Sequence, residues 1–391
     1  MAFAAKIPSA WASMKLDRNP TFSRSPTIRA AQLIAILCVV GYLLSLPLVA
    51  LLGPLFSPQV EIKIPGPGED AIKHFAGSRD CGILHSDIYL APLPLNPRVS
   101  PFCKNRASLL EALSSGGRHG FDEPYVGKGE NISSRIVGLP FMSLGCTYRW
   151  FSTPEICMIL ERFNAIVFVG DTTAQTIYTA LNILLREDLA FGGLQQWLMN
   201  EQDRAACKCE NQFINGDCLA YTLKSIEEVK KNRRESPYFC ERVPHTYLRV
   251  DSTPASLTAQ NTFKDLTFGH PNPWKPSPVI LSFSHSFDLS TTTRVLDEWA
   301  ALATAAERNV PMLYLGPQAV SLNKVGRDGN AAVWKFQEEM MEPAKQRQFD
   351  LLGLWNLTLQ ASSKDGEKYG EKVALVQAMM IINWLSMLEI S

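Results

Sequence analysis

The sequence lacks an excess of charge of either sign. Its 391 residues contain 38 lysines and arginines against 38 aspartates and glutamates, so the formal net charge is zero. A nucleic-acid-binding domain normally has a basic excess or a basic patch. We therefore expect no nucleic-acid partner.

The sequence also lacks the short motifs that hold nucleotides and metals. It contains no glycine-rich phosphate-binding loop and no D-x-D motif, which a glycosyltransferase-like type II protein would be expected to carry. The segment CKCENQFINGDC (207–218) invites comparison with a zinc knuckle, but the usual C-x-x-C spacing and a nearby histidine are missing. These absences predict no cofactor and no bound metal, and they disfavour the glycosyltransferase class.

Long uncharged apolar runs are scarce, and the longest lies near the amino terminus. Residues 30–56 contain no charged side chain, whereas residues 1–29 are rich in lysine and arginine. About twenty apolar residues span a bilayer core, so we predict a cytosolic basic tail over 1–29 and a transmembrane anchor over 30–56. A cleaved signal peptide is the competing interpretation, but no clean A-x-A pattern follows the run. The flanking basic residues and the length disfavour a buried core helix.

This topology predicts a single-pass membrane protein of the secretory pathway, in the Golgi or the endoplasmic reticulum, with a lumenal carboxyl-terminal domain. Eight of the nine cysteines follow the apolar run, an even number that favours disulfides in an oxidising compartment. Their pairing is left open. Sequons that begin at Asn131 and Asn356 would also be lumenal and predict a glycoprotein.

The residue pattern of the rest of the chain changes twice. Residues 57–80 are rich in proline, glycine and charge, which predicts a stem. Residues 81–145 show little periodicity and contain two cysteines, Cys81 and Cys103, which predicts a loop-rich lead-in held by disulfides. From residue 146 onward, short apolar runs alternate with helical patterns.

Strand–helix alternation over 146–391 predicts a three-layer α/β domain, with a parallel sheet covered by helices on both faces. Residues 191–243 interrupt it as an irregular insertion, and residues 369–389 are predicted to form a closing helix in the core. The predicted strands are NAIVFVG (164–170), PVILSFS (278–284), VPMLYLGP (310–317) and FDLLGLWNLT (349–358).

The segment FVGDTTAQTIY (168–178) places a hydroxyl where several hydrolases present a nucleophile, between a strand and a helix. Thr172 there would have the outward-pointing N–H groups of the helix as oxyanion donors. The alternative is structural, because Thr172 with Gln175 forms a T-x-x-Q capping box. Asp171 either orients this loop or caps the helix itself.

Residues 148–178 resemble a segment of the PC-esterases, the family of the plant trichome-birefringence-like proteins and their fungal counterparts. The matches are Tyr148, Trp150, Cys157, Phe163 and the Phe-Val-Gly-Asp run that ends at Asp171, although the aromatic cluster is shortened. The resemblance covers roughly residues 81–391. It implies an SGNH-like fold and O-acetyltransferase or esterase activity on glycans, in a type II membrane protein with disulfides.

The resemblance also implies a catalytic pair, and here the sequence departs from the family. Thr172 stands where the family has a nucleophilic serine, and Lys368 stands where its Asp-x-x-His motif, begun here by Asp365, has the histidine base. Asp365 and Lys368 could equally form a surface ion pair. His285, in the SFSHSF segment (282–287), is the substitute base, although a lone histidine is more often structural. His245 and His270 are placed in irregular loops without a partner.

Two functions follow from these residues. The first is a membrane-anchored, lumenal acyltransferase or esterase that takes a glycan and an acyl donor, with Asp171, Thr172, Asp365 and Lys368 or His285 at its site. The second is a catalytically inactive relative that binds glycan or scaffolds a secretory-pathway partner.

Overall fold

The computed structural model describes residues 101–116, 143–215, 218–235, 243–268, 273–283, 288–322, 324–361 and 369–389, with Cys81, Ile83 and Phe141. The chain divides into two units, Met1–Lys63 and Ile64–Ser391, and the described residues lie in the second. The predicted tail, anchor and stem (1–80) lie outside the described residues. Within the ranges above, no helix is both long enough and apolar enough to cross a membrane.

A five-stranded, fully parallel sheet forms the centre of the domain, as the sequence predicts. Its spatial order is β2-β1-β3-β4-β5. The strands are β1 (Ile166–Gly170), β2 (His245–Arg249), β3 (Val279–Ser282), β4 (Met312–Leu315) and β5 (Asp350–Leu352).

Two details of the sheet differ from the sequence-based expectation. The first is β2, which lies where a loop around His245 is expected. The second is the end of the predicted 349–358 strand, because β5 stops at Leu352 and Trp355 begins a helix. In that helix, the Thr358 hydroxyl donates to the carbonyl of Leu354 one helical turn earlier, at 2.7 Å.

Helices precede, connect and follow the strands. They are α1 (Arg106–Ser114), α2 (Thr153–Leu160), α3 (Thr172–Arg186), α4 (Glu201–Ala206), α5 (Asn211–Ile214), α6 (Ile226–Glu235), α7 (Leu257–Thr267), α8 (Leu289–Thr304), α9 (Asn330–Gln346), α10 (Trp355–Ala361) and α11 (Gly370–Ser386), with single 3₁₀ turns at Gln196–Leu198 and Gly326–Asp328. The predicted insertion (191–243) thus contains short helices within its described part.

Alternate residues of each strand face two separate apolar cores, which makes the domain three-layered. On one face, Phe168 and Ile280 pack with α1, α2, α3 and α11. On the other face, Val169 and Leu281 pack with α7, α8 and α9. Helix α11 is buried along nearly its whole length, which confirms that this apolar segment belongs to the core.

Disulfides hold the segments outside the sheet, as the cysteine count predicts. The bonds are Cys81–Cys209, Cys103–Cys146 and Cys207–Cys218, and Cys157 is also disulfide-bonded. The thiols of the 207–218 segment are therefore used in disulfides and are not free to bind zinc.

The sequon at Asn356 is not presented to solvent. The Asn356 amide donates to the carbonyl of Ser114 at 2.7 Å, and the hydroxyl-bearing Thr358 is buried. In the folded domain this position is unsuited to carry a glycan. The other sequon, at Asn131, lies outside the described residues.

Candidate functional site at the carboxyl edge of the sheet

The order of the strands locates the position at which a ligand site is expected. Strand β1 lies between β2 and β3, and the helices that follow β1 and β2, α3 and α7, cover opposite faces of the sheet. In open parallel sheets, ligands bind outside the carboxyl ends of the strands where the chain reverses direction in this way. The segment Gly170 to Thr172 lies at that point.

The turn from β1 into α3 depends on a close approach between two strands. Gly170 has a φ of +141°, and a Cβ on it would lie only 1.8 Å from the carbonyl oxygen of Ser282, on β3. A side chain is therefore excluded. The Asp171 N–H donates to the same Ser282 oxygen at 3.1 Å, and the Tyr247 hydroxyl lies 3.0 Å from the carbonyl oxygens of Gly170 and Asp171.

Asp171 caps helix α3, which decides between the two roles predicted for it. Its carboxylate accepts a hydrogen bond from the Thr173 N–H at 2.9 Å, and the Ser282 hydroxyl lies 3.4 Å from the same oxygen. Burial raises the pKa of Asp171 to about 6, although the backbone hydrogen bonds act in the opposite direction. This carboxyl group therefore titrates close to neutrality.

Thr172 is the first residue of α3 and not its cap, so the predicted T-x-x-Q capping box is wrong. Aspartate is among the strongest N-caps, and here it takes the position one residue earlier. The Thr172 side chain is left exposed. Its backbone carbonyl accepts from the Thr176 hydroxyl at 2.8 Å, as in an ordinary helical turn.

A cavity of about 200 Å³ opens beside Thr172. It is bounded by the start of α3, by the end of β2 at Arg249, by the segment 212–215, and by the first turns of α11. Its polar side chains are amides and hydroxyls, with Arg249 as the only charged residue among the described residues that line it. The residues that line it include Thr172, Thr173, Arg249, Gln318, Tyr369 and Gln377.

The other predicted catalytic residues, Asp365, Lys368 and His285, lie outside the described residues, and so does His270. Tyr369, which follows Lys368 in the sequence, lines the same cavity as Thr172, and its hydroxyl donates to the carbonyl of Ala319. None of the described residues that line the cavity is a histidine or a carboxylate. The described lining therefore offers Thr172 neither an imidazole nor a carboxylate as a general base.

His245 does not lie in an irregular loop, as the sequence predicts, but in a strand. It is the first residue of β2 and is only 1% exposed. Its Nδ1 lies 2.8 Å from the Tyr178 hydroxyl, and burial lowers its pKa to about 3. The imidazole is neutral and structural. The run of β-formers after Pro244, Thr246 to Val250, is the signal that could have revealed this strand.

A second cavity, of about 490 Å³, lies at the opposite edge of the sheet. It is lined by the starts of β4 and β5, including Met312 and Asp350, and by three arginines: Arg106, Arg308 and Arg347. Within the described residues, no group of three or more histidine, cysteine, aspartate or glutamate side chains is arranged to hold a metal ion.

Comparison with known proteins adds no family assignment. No protein-family model matches the sequence, and no curated protein matches it significantly.

Proposed function

We propose that this protein is a membrane-anchored, lumenal member of the SGNH-like PC-esterases, and that it transfers or hydrolyses O-acyl groups, such as acetyl, on glycans. The three-layer α/β fold with its parallel sheet is the architecture that the resemblance implies. The uncharged run over 30–56 and the disulfides support a secretory-pathway location.

One observation carries the proposal. The exposed Thr172 hydroxyl follows the first strand directly, at the carboxyl edge of the sheet, and borders a cavity lined by amides and hydroxyls. Amides and hydroxyls both donate and accept hydrogen bonds, as does a sugar. An acyl group held there would lie against the first turn of α3. The Thr173 N–H in that turn is bound by Asp171, so the helix would stabilise a developing oxyanion mainly through its dipole.

The second candidate is a catalytically inactive glycan-binding relative. The observation that favours it is the identity of the hydroxyl, because a threonine side chain is bulkier and more restricted in rotation than a serine. The lysine at position 368 points the same way, since a lysine beside a carboxylate stays charged and is a poor base.

Ester turnover by residues 57–391 separates the two candidates. Acetyl-ester hydrolysis and acetyl transfer are measured for the native protein, for Thr172→Ala and for Thr258→Ala, which removes an exposed hydroxyl from the first turn of α7, outside the cavity. Turnover that Thr172→Ala abolishes and Thr258→Ala retains establishes the acyl-transfer function. No turnover in the native protein, with turnover in Thr172→Ser/Lys368→His, favours the inactive relative.

A further inference from the structure

A buried amide on the cavity wall lacks a hydrogen-bond partner. Gln377 lies in the middle of α11, is 1% exposed and lines the cavity beside Thr172. Its Nε2 has no partner among the described residues. Buried polar groups in native proteins are almost always paired, so an unpaired one requires an explanation.

The orientation of this amide is set by a second glutamine. The Gln318 side chain, which follows β4, donates from Nε2 to Oε1 of Gln377 at 3.3 Å. The oxygen of Gln377 therefore already accepts a hydrogen bond within the protein. Its Nε2 group is the donor that has no partner among the described residues. Gln318 also lines the cavity.

The surroundings identify the kind of ligand that would pair with this donor. At about 200 Å³, the cavity is smaller than the roughly 300–1,000 Å³ of pockets for drug-sized molecules, so it accommodates one ring and not a long chain. Besides its amides and hydroxyls, it presents the apolar side chains of Phe213 and Ile214. A sugar ring combines hydroxyl oxygens at its rim with apolar C–H faces.

We propose that Gln377, oriented by Gln318, donates a hydrogen bond from Nε2 to an oxygen of a single sugar ring bound in this cavity. Gln377 is then a specificity-determining residue for the glycan. The inference rests on the proposed function for its choice of a glycan, and it adds the residue and the subsite that recognise it.

Binding of monosaccharides to residues 57–391 tests the inference. The probes are D-xylose, D-mannose and D-glucuronic acid, titrated at millimolar concentration and followed by NMR. Gln377→Met has a similar volume without the donor, and it should weaken binding of the preferred sugar about five- to tenfold, which is the range for one neutral hydrogen bond. Gln318→Met should weaken binding less, because it removes only the residue that orients Gln377.

Gln337→Met is the matched control. Gln337 is also a buried glutamine, 6% exposed, with an amide oxygen that lacks a partner, but it lies on α9 and does not line the cavity. Binding by this variant should match the native protein. Thermal unfolding of each variant shows whether it is folded before it is titrated.

Two results would overturn the inference: no binding of any of the three sugars by the native protein, or equal binding by the native protein and folded Gln377→Met. Its outcome is separable from that of the proposed function. Sugar binding that depends on Gln377, without ester turnover, supports the proposed sugar subsite and contradicts the proposed acyl-transfer activity. Ester turnover that depends on Thr172, with sugar binding and KM unchanged in Gln377→Met, contradicts only the proposed sugar subsite.

Discussion

The amino and carboxyl edges of the sheet each border a cavity, and the two cavities differ in how their polar side chains are used. Each of the three arginines that line the amino-edge cavity is paired. Arg106 bonds Asp350 at 3.0 Å, Arg347 bonds Asp297 at 2.7 Å, and Arg308 donates to the carbonyl of Thr267 at 2.6 Å. The charges there are used to hold the protein together.

At the carboxyl edge, two buried polar groups are less well compensated. Burial raises the pKa of Asp171, and Nε2 of Gln377 lacks a partner among the described residues. A perturbed pKa and a buried donor without a partner are both features found at functional sites. Although the amino-edge cavity is more than twice as large, the comparison favours the smaller cavity as the ligand site.

The largest expected loss of stability comes from removing either of two disulfides separately. Cys103–Cys146 closes a loop with a sequence separation of 43, and Cys207–Cys218 one of 11. Chain entropy then predicts losses of about 4 and about 3 kcal/mol in the free energy of unfolding, respectively. Urea unfolding of each double alanine variant measures both losses.

Ligand binding should follow the opposite order. The smaller loop contains residues 212–215, which form one wall of the carboxyl-edge cavity, so Cys207→Ala/Cys218→Ala should weaken sugar binding. Cys103→Ala/Cys146→Ala should bind normally in its folded fraction. Equal sugar binding by the two variants would show that holding residues 212–215 with a disulfide does not matter for the site.

A substitution at the amino edge has an intermediate effect. Asp350→Ala removes the ion pair with Arg106 and the acceptor of Nε1 of the buried Trp384, at 2.7 Å. We expect a loss of about 2 kcal/mol in the free energy of unfolding, without a change in sugar binding or ester turnover. Asp297→Ala, which removes only an exposed partner of Arg347, should cost less than about 1 kcal/mol. Altered binding in Asp350→Ala would mean that the two edges are coupled.

The last effect is a pH dependence at the carboxyl edge. The pKa of Asp171 is raised from 3.8 to about 6 in the folded protein. Its contribution to stability is therefore fully present below pH 3.8 and is lost as the pH rises through 6. Asp171→Asn keeps a good cap without the titration.

The free energy of unfolding of the native protein, minus that of Asp171→Asn, should thus fall between pH 4 and 6 and stay level above. Urea unfolding at several pH values measures this difference. Subtraction removes the opposite contribution of His245, whose lowered pKa makes the fold more stable as the pH rises from about 3 to 6.5. A difference that stays constant with pH would contradict the raised pKa of Asp171.

The sequence predicts the central strand β1 and the helix after it well, but it does not predict the outer strand β2. The strand at 166–170 and the helix after it are short-range features, because one apolar run, one glycine and one aspartate determine them. Strand β2 is different. It is an outer strand of the sheet with a polar first residue, His245, whose burial depends on Tyr178, 67 positions away in the sequence.

The residues of the site also differ in whether the sequence alone reveals them. Asp171 and Thr172 can be found from the chain because they follow a strand directly. Gln377 cannot, because nothing in its helical neighbourhood shows that an amide there would border Thr172. The wall at 212–215 depends on the disulfide pairing, which cysteine spacing leaves open.

Helix α11 has a consequence for the biosynthesis of the protein. It packs directly against α3 and fills the core on that face of the sheet, yet the ribosome makes the two helices at opposite ends of the α/β domain. Until α11 has emerged, the part of α3 that packs against α11 has no cover, and such surfaces aggregate. The nascent chain thus needs protection until nearly all of the domain is made, and a product that stops before Val373 should be degraded rather than folded.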